Sequence, residues 1–504
     1  MRRDNSISST ALASTAMAAL TAAIVLLPLL GHKPLAEWDE GIYAEVAREM
    51  LGHSWLAPHW NGQLWFEKPP LLLWITAAFF KVFGVTEFWA RAGSAFAGIG
   101  TVAMLHLWLA RAKDVLAAWL STLVLLGTLG FLHVCHVGET DVLLSLGCCV
   151  AVIGLALVDD GSVRGWYFFW LGFAIALMTK GAASIVLPLT AIIFAGLQRW
   201  RYDRLRAPFF LGLAGFLALV APWHVAMYRE FGSSFLDVYL GLHVIARSTQ
   251  QLEGHASHWW YYGKVLLVSA PPFVLIYPFA VVRGLRRDGL RVWAVFALVV
   301  LLFFTLVQTR LPHYIAPAYP ALSMLTAVWV ADWLRPLLAA RRPVGYWIKL
   351  SVAACAITIA SVWITTPARK SLHSTALARG VTLTDNKDSI ALLKSAFARP
   401  QPIAGPLLLL RNGRILSIAT DVFYSRRTVQ QVALQPVPAG TPGNPGNPIE
   451  PYMFNPEPLA EAVTSEPRLI LLDRVLVASI PARFAYTPIQ SQGTVELGTI
   501  VRTP

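Results

Sequence analysis

Stretches of about 20 mostly apolar residues, the length a helix needs to cross a bilayer, follow one another along the first 365 positions. They fall near 11–31, 92–110, 115–132, 139–158, 166–180, 182–198, 208–227, 263–282, 291–308, 312–333 and 346–365, which predicts roughly 11 spans. After Thr366 the pattern changes. Pro406–Leu410, Ile415–Ile418 and Leu469–Leu472 have the length of strands, and Asp385–Phe397 reads as a helix with a polar start. Pro436–Pro458 is rich in Pro, Gly and Asn and reads as a loop. The expected architecture is a polytopic α-helical membrane domain over 1–365, followed by a small mixed α/β domain over 366–504. Between the first two spans, Ile42, Val46 and Met50 share one helical face while Glu45 and Arg48 fall elsewhere, as in a helix lying on the membrane interface.

Charge placement orients this array. The 504 residues are 56% hydrophobic and 14% charged, with a formal net charge of +13. In a soluble protein that excess would point to nucleic acid, but here the basic residues gather in particular connectors. If Arg2 and Arg3 are cytoplasmic, alternation puts four clusters on the same side: Arg111 with Lys113, Arg199 to Arg206, Arg283 to Arg291, and Arg335 with Arg341 and Arg342. The opposite face then receives 32–91, 133–140, 228–262 and the C-terminal domain. The apolar run Ala11–Leu30 exceeds a usual signal-peptide core and no small-x-small cleavage site follows it, so a retained first helix is expected. Cys135, Cys148, Cys149 and Cys355 form no CxxC pair, which argues against a disulfide framework or a zinc ribbon. No GxxxxGK[ST] or strand-borne GxGxxG offers a nucleotide site.

The chemistry-bearing residues lie on the outer face. Glu37-Trp38-Asp39-Glu40-Gly41-Ile42-Tyr43-Ala44-Glu45 directly follows the first span, and Trp65-Phe66-Glu67-Lys68-Pro69-Pro70 holds an acid and a base against a proline-fixed backbone. Gly138-Glu139-Thr140-Asp141 sets a carboxylate at the edge of hydrocarbon, where it needs a partner or a task. Lys180, in Thr179-Lys180-Gly181, either snorkels outward or meets a lipid phosphate. His243, Arg247 and the aromatic run Trp259–Tyr262 form a further group, an interfacial belt being the alternative for the aromatics. Thr309-Arg310-Leu311-Pro312-His313-Tyr314 is the last. Acids and bases collected at helix ends on one side suit a cleft for a phosphate at headgroup level.

Asp39-Glu40-x-x-Tyr43-Ala44-Glu45, Phe66-Glu67-Lys68-Pro69-Pro70, Thr140-Asp141, Thr179-Lys180-Gly181 and Leu311-Pro312-His313-Tyr314 together resemble the GT-C glycosyltransferases related to protein O-mannosyltransferases. Within that group the resemblance is to the lipid A aminoarabinose transferases, and it covers 37–320. It implies a polyprenyl-phosphate-linked sugar donor, a periplasmic cleft, a lipid, glycan or protein acceptor, contact with membrane lipids, and no nucleic acid. By the same resemblance Asp39 and Asp141 are the catalytic carboxylates. Glu40, Tyr43, Lys68, Lys180, Arg247, Arg310 and Tyr314 line the donor-phosphate cleft, and Glu67 with His243 could hold a divalent ion such as zinc. The family is drawn with about two more spans than the apolar runs supply, giving 11–13. Three positions depart from its pattern: Ile42 replaces an Arg, Trp65 an aromatic hydroxyl and Arg310 a Lys. The competing reading is a flippase for a polyprenyl-linked lipid, which expects charges spread through the spans.

Overall fold

The computed structural model describes residues 8–112, 114–200, 204–246, 249, 258–340, 387–398, 401–411, 418–434 and 457–503. In chain order the helices begin with α1 (Ser9–Leu26), α2 (Asp39–Glu49), α3 (Leu71–Phe83), α4 (Glu87–Arg111), α5 (Val115–Leu126), α6 (Leu129–Cys135) and α7 (Asp141–Asp159). They continue with α8 (Gly165–Lys180), α9 (Val186–Leu197), α10 (Ala207–Leu236), α11 (Tyr261–Ser269), α12 (Tyr277–Arg286), α13 (Arg291–Leu306) and α14 (Ala318–Ala339). The tail adds α15 (Lys387–Ala396), α16 (Ala419–Ser425) and α17 (Leu459–Ala462). The strands are β1 (His59–Trp60), β2 (Gln63–Leu64), β3 (Leu407–Leu410), β4 (Val429–Ala433), β5 (Glu457–Pro458), β6 (Arg468–Asp473), β7 (Phe484–Gln492) and β8 (Val495–Arg502). Two compact units result, Met1–Gly31 with Phe66–Lys370 and His32–Trp65 with Ser371–Pro504. The segment 32–65, expected as a loop of the membrane domain, thus groups with the tail.

The first unit is the helical one. Among the described residues six helical stretches are long and apolar enough to cross a membrane, α8 and α9 counting as one, and a seventh is formed if α5 and α6, bent by 70°, make one broken span. The apolar runs near 11–31, 92–110, 139–158, 166–180, 208–227, 291–308 and 312–333 each hold a helix. The run near 263–282 is interrupted between α11 and α12 by Pro271 and Pro272, which cannot donate to a helical ladder. The span expected at 346–365 lies outside the described residues. The apolar helix α3 has no counterpart among the expected spans; at 13 residues it is about 20 Å long, short of the roughly 30 Å hydrocarbon core.

Polar side chains fasten the helices to one another. The Thr86 hydroxyl accepts the Trp89 N–H at 3.3 Å to cap α4, and the Asp114 carboxylate accepts the Ala117 N–H at 3.1 Å to cap α5. His106, fully buried in α4, bonds Ser14 of α1 at 2.8 Å and Thr122 of α5 at 3.0 Å. In hydrocarbon such bonds stand in for the missing hydrophobic drive between helices.

Among the described residues α7 and α8 pack backbone to backbone, and small residues make it possible. A Cβ built on Gly172 would lie 2.4 Å from both Ala151 N and Gly147 O, and one on Gly154 would lie 2.4 Å from Phe169 N. One on Gly165 would lie 2.3 Å from Gly154 O. The two backbones therefore touch, antiparallel, with Gly147 facing Gly172 and Ala176 while Gly154 faces Gly165 and Phe169. This register brings the start of α7 to the end of α8, and so Asp141 to Lys180.

The second unit is built on a six-stranded sheet of order β5-β4-β3-β6-β8-β7. β5, β4, β3 and β6 run parallel, and β8 and β7 complete it antiparallel. Leu407–Leu410 is buried at all four positions, as expected of a central parallel strand covered on both faces. The strands read at Pro406–Leu410 and Leu469–Leu472 and the helix read at Asp385–Phe397 are present as β3, β6 and α15. Most of Ile415–Ile418 and of Pro436–Pro458 lies outside the described residues. Arg411, at the end of β3, pairs with Asp473 at 3.1 Å and bonds Ser389 at 2.7 Å, so its buried guanidinium is compensated.

Gly172→Ala should lower the thermal midpoint of the detergent-solubilised protein, at a cost of about 1–3 kcal/mol for overpacking against backbone that cannot yield. Gly196→Ala, whose Cβ meets nothing within 4 Å, is the control and should leave the midpoint level or raise it slightly.

Candidate active site

In the first unit, Asp141 opens α7 and is 2% exposed, and Lys180 closes α8 with its Nζ 2.6 Å from Asp141 Oδ1. Gly181 follows at φ +53, a left-handed conformation that ends the helix and turns the chain away. The Lys180 ammonium also stands 4.8 Å from the centre of the Tyr314 ring, within cation–π range. Glu139 and His313 join this cluster, with His313 Nδ1 3.9 Å from Glu139 Oε2. One ligand atom each from Glu139, Asp141 and His313 can be chosen so that all lie within 4.8 Å of one another. Ser94 donates to the Glu139 carbonyl at 2.9 Å, which ties this loop to α4.

Beside Gly181 opens an apolar cavity of about 510 Å³, lined among others by Phe173, Leu177, Ile185, Val220 and Leu236. Its polar marks include His224 and Tyr239, which hydrogen-bond at 3.1 Å. Lys68 is half-buried and Glu67 buried, on the turn that leads through Pro69 and Pro70 into α3. Phe66 just before them packs against Phe231 and Phe235 of α10 at 5.1 and 5.7 Å between ring centres. Arg310 donates to the Thr305 carbonyl at 3.1 and 2.7 Å, closing the end of α13. The backbone of His243 lies in the π-helical segment Asp237–Ala246. Its side chain and the whole of Arg247 lie outside the described residues.

In the second unit, the acidic motif is the helix α2, and most of its acids are engaged in folding it. Glu40, 1% exposed, accepts the Ala36 N–H at 2.6 Å. Fully buried Glu45 takes both Nε and Nη2 of Arg48, at 2.7 and 2.5 Å. Glu49 accepts the Gly62 N–H of the β1–β2 turn at 3.1 and 3.2 Å. Tyr43 is buried edge-on against Trp65, 5.8 Å between centres. Asp39 differs: half-buried at the first turn, its carboxylate has no hydrogen-bond or ion-pair partner among the described residues.

The chain resembles known proteins along most of its length. The family described as dolichyl-phosphate-mannose-protein mannosyltransferase matches residues 67–225. An undecaprenyl phosphate-alpha-4-amino-4-deoxy-L-arabinose arabinosyl transferase of Serratia proteamaculans is 28% identical over 64% of this chain and 60% of its own. Its counterpart in Erwinia tasmaniensis is 31% identical over 60% and 56% respectively. The chain therefore spans about 60% of the length of the curated relatives it matches. The crystal structure of ArnT from Cupriavidus metallidurans bound to undecaprenyl phosphate superposes with a TM-score of 0.74, at 20% identity, over 98% of both chains. The chain shares the fold of that structure, the GT-C fold. The resemblance carried by the motifs is thereby borne out, as is the expectation of a helical membrane domain with a C-terminal α/β domain. The chain is a multi-pass inner-membrane protein.

On this GT-C fold, Lys180, Asp141 and Tyr314 come together in the first unit, whereas Asp39, Glu40 and Tyr43 belong to the second. Glu139 and His313 lie in the motifs Gly138–Asp141 and Thr309–Tyr314, whose candidate site residues in the sequence include Asp141 and Tyr314 but neither of these two. The available signal was their position: one lies two residues before Asp141 and the other directly before Tyr314.

Two expectations test these electrostatics. Lys180→Met leaves Asp141 as a buried, uncompensated charge and should cost about 3–5 kcal/mol of stability, whereas pairing it with Asp141→Leu should restore most of the loss. Burial, reinforced by the Glu45 carboxylate and opposed by the Gly62 N–H, pushes Glu49 up to about 7 from its ordinary 4.5. The folded state then holds this proton more tightly than the unfolded chain. The stability Glu49 contributes is complete below pH 4.5 and is lost as pH rises through about 7. Thermal melts of Glu49→Gln across that window should show a flatter pH dependence and a higher midpoint at its alkaline end.

Proposed function

We propose that the protein transfers a sugar from an undecaprenyl or related polyprenyl phosphate to a lipid A-like or other envelope acceptor at the periplasmic face of the inner membrane. The single observation behind this reading lies in the first unit: α8 ends on the Lys180–Asp141 pair, and the next residue, Gly181, lines an apolar cavity of about 510 Å³. A carrier with a phosphate head and a prenyl tail has that division of chemistry. The relatives' names, arabinosyl transferases of an undecaprenyl phosphate sugar, supply the donor class, and 4-amino-4-deoxy-L-arabinose is the sugar to try first.

Departure of the carrier builds charge on the phosphate oxygens, which fixed cations at low dielectric stabilise by a few kcal/mol each. Lys68, Lys180, Arg247 and Arg310 are the cations assigned to this task. Asp39, without a partner among the described residues, orients the acceptor or takes its proton. Asp141 holds Lys180 in place and stands as the second acid, and Glu40 and Tyr43 keep the Asp39 helix in shape. Glu139, Asp141 and His313 would hold a divalent ion: two carboxylates and an imidazole suit zinc or a similar metal. The resemblance gives that role instead to Glu67 and His243. Such an ion, when bound, adds positive charge toward a leaving phosphate. Direct displacement predicts inversion at the anomeric carbon, and a product of retained configuration would exclude it.

The test is transfer from a panel of radiolabelled undecaprenyl-phosphate sugars into membrane lipid and protein. Label should move with the intact chain, and Asp39→Asn and Lys68→Met should each lower kcat by about 10²-fold or more. Absence of transfer from every donor, with the lipid instead crossing vesicles unchanged, would overturn the reading in favour of a flippase.

A further inference from the structure

The turn that presents Asp39 is held by residues almost 400 positions away in the sequence. Trp38, immediately before it, has φ 68 and ψ −131, a conformation outside the regions open to residues with a side chain. Such a conformation persists only where its surroundings over-determine it. Part of the hold is local: Gly41 N–H returns to the Ala36 carbonyl at 3.1 Å and Ile42 N–H to the Trp38 carbonyl at 2.9 Å. The rest comes from α16. The Tyr424 hydroxyl accepts the Leu35 N–H at 2.8 Å, and the Glu37 carboxylate accepts the Thr420 hydroxyl as well as the Thr420 N–H at 3.4 Å. Gly41 allows the approach, since a Cβ there would lie 2.9 Å from the Ala419 Cβ.

The far end of α2 is tied to the same sheet. Glu49 grips the β1–β2 turn at Gly62, and the Asn61 side chain pairs with the backbone of Val429, donating to its carbonyl at 3.0 Å and accepting its N–H at 2.7 Å. Both ends of the helix thus rest on the C-terminal part of the unit, and the Asp39 carboxylate, without a partner among the described residues, sits on the strained turn between Glu37 and Glu40.

We propose that Thr420 and Tyr424 are positioning residues for Asp39, so that the C-terminal α/β structure sets the orientation of that carboxylate. This rests on the reading of Asp39 as the carboxylate that serves the acceptor. Purified full-length protein in nanodiscs is assayed with undecaprenyl-phosphate-linked 4-amino-4-deoxy-L-arabinose as donor. Thr420→Val removes the hydroxyl at nearly constant volume, and Tyr424→Phe removes only the acceptor oxygen. Assayed well below the thermal midpoint of each variant, each should lower kcat about tenfold with donor KM changed less than about twofold, because the lost interaction acts through the geometry of the reacting group. Thr420→Ser, which restores the donor, should recover kcat. The proposal fails if both variants turn over at the wild-type rate while Asp39→Asn is inactive. It fails equally if kcat falls only in step with a lowered midpoint and Thr420→Ser brings no recovery. Full activity in Asp39→Asn would instead remove the underlying assignment, whatever the other variants do.

Discussion

The contact of two helix backbones, α7 against α8, is the constraint on which the chemistry of the first unit depends. Glycine facing glycine lets the axes come closer than any side chain would permit, and close axes fix the register of an antiparallel pair. In a bilayer, where apolar contact alone gains little because lipid tails are equally apolar, small residues and tight dispersion packing are what hold helices together. The consequence appears at the open end of the pair. A carboxylate on the first residue of one helix meets an ammonium on the last residue of the other at 2.6 Å, and each compensates the other's buried charge.

Much of this was legible in the sequence because membranes simplify the code. Apolar runs of spanning length mark helices whatever they pack against, and Asp141 and Lys180 stood out because charge at the edge of hydrocarbon is costly. The strands of the tail were legible for the complementary reason, short apolar runs bounded by turn residues. Other features were not. Leu71–Phe83 is apolar but follows two prolines and is short, so it read as part of a loop. Glu40, Glu45 and Glu49 look in sequence like a row of available acids, and only their bonds to Ala36, Arg48 and Gly62 reveal that folding uses them. That α2 groups with the C-terminal tail depends on Thr420, Tyr424 and Val429, and no local pattern encodes contacts of such separation. The pairing of Glu139 with His313 was hidden for the same reason.

The basic connectors carry more than a topological signal. Arg283, Arg287 and Arg335 were read as orientation signals, and their number is what the positive-inside tendency expects. In the structure they also converge on one carboxylate: Asp332 accepts Arg283 and Arg287 at 2.7 Å and Arg335 as well, while Arg335 reaches Asp114 at 2.5 Å. These residues lie on α12, α14 and the N-cap of α5 or in the connector after α12. The charges that orient a helix array therefore also staple it, and three arginines on one aspartate keep an excess of positive charge at that end.

The two ends of the helical unit thus treat charge differently. Around Asp332 cations outnumber the carboxylates and lie partly exposed, so solvent and lipid headgroups screen them and each exposed pair is worth little. Around Asp141 the groups are largely withdrawn from solvent, so every interaction there is stronger and every change of charge is felt. A phosphate arriving beside Lys180 would compete with Asp141 for the same ammonium, and on leaving would return Lys180 to it. On the proposed reading, such a pair offers the ammonium a counter-charge both before and after a phosphate is bound.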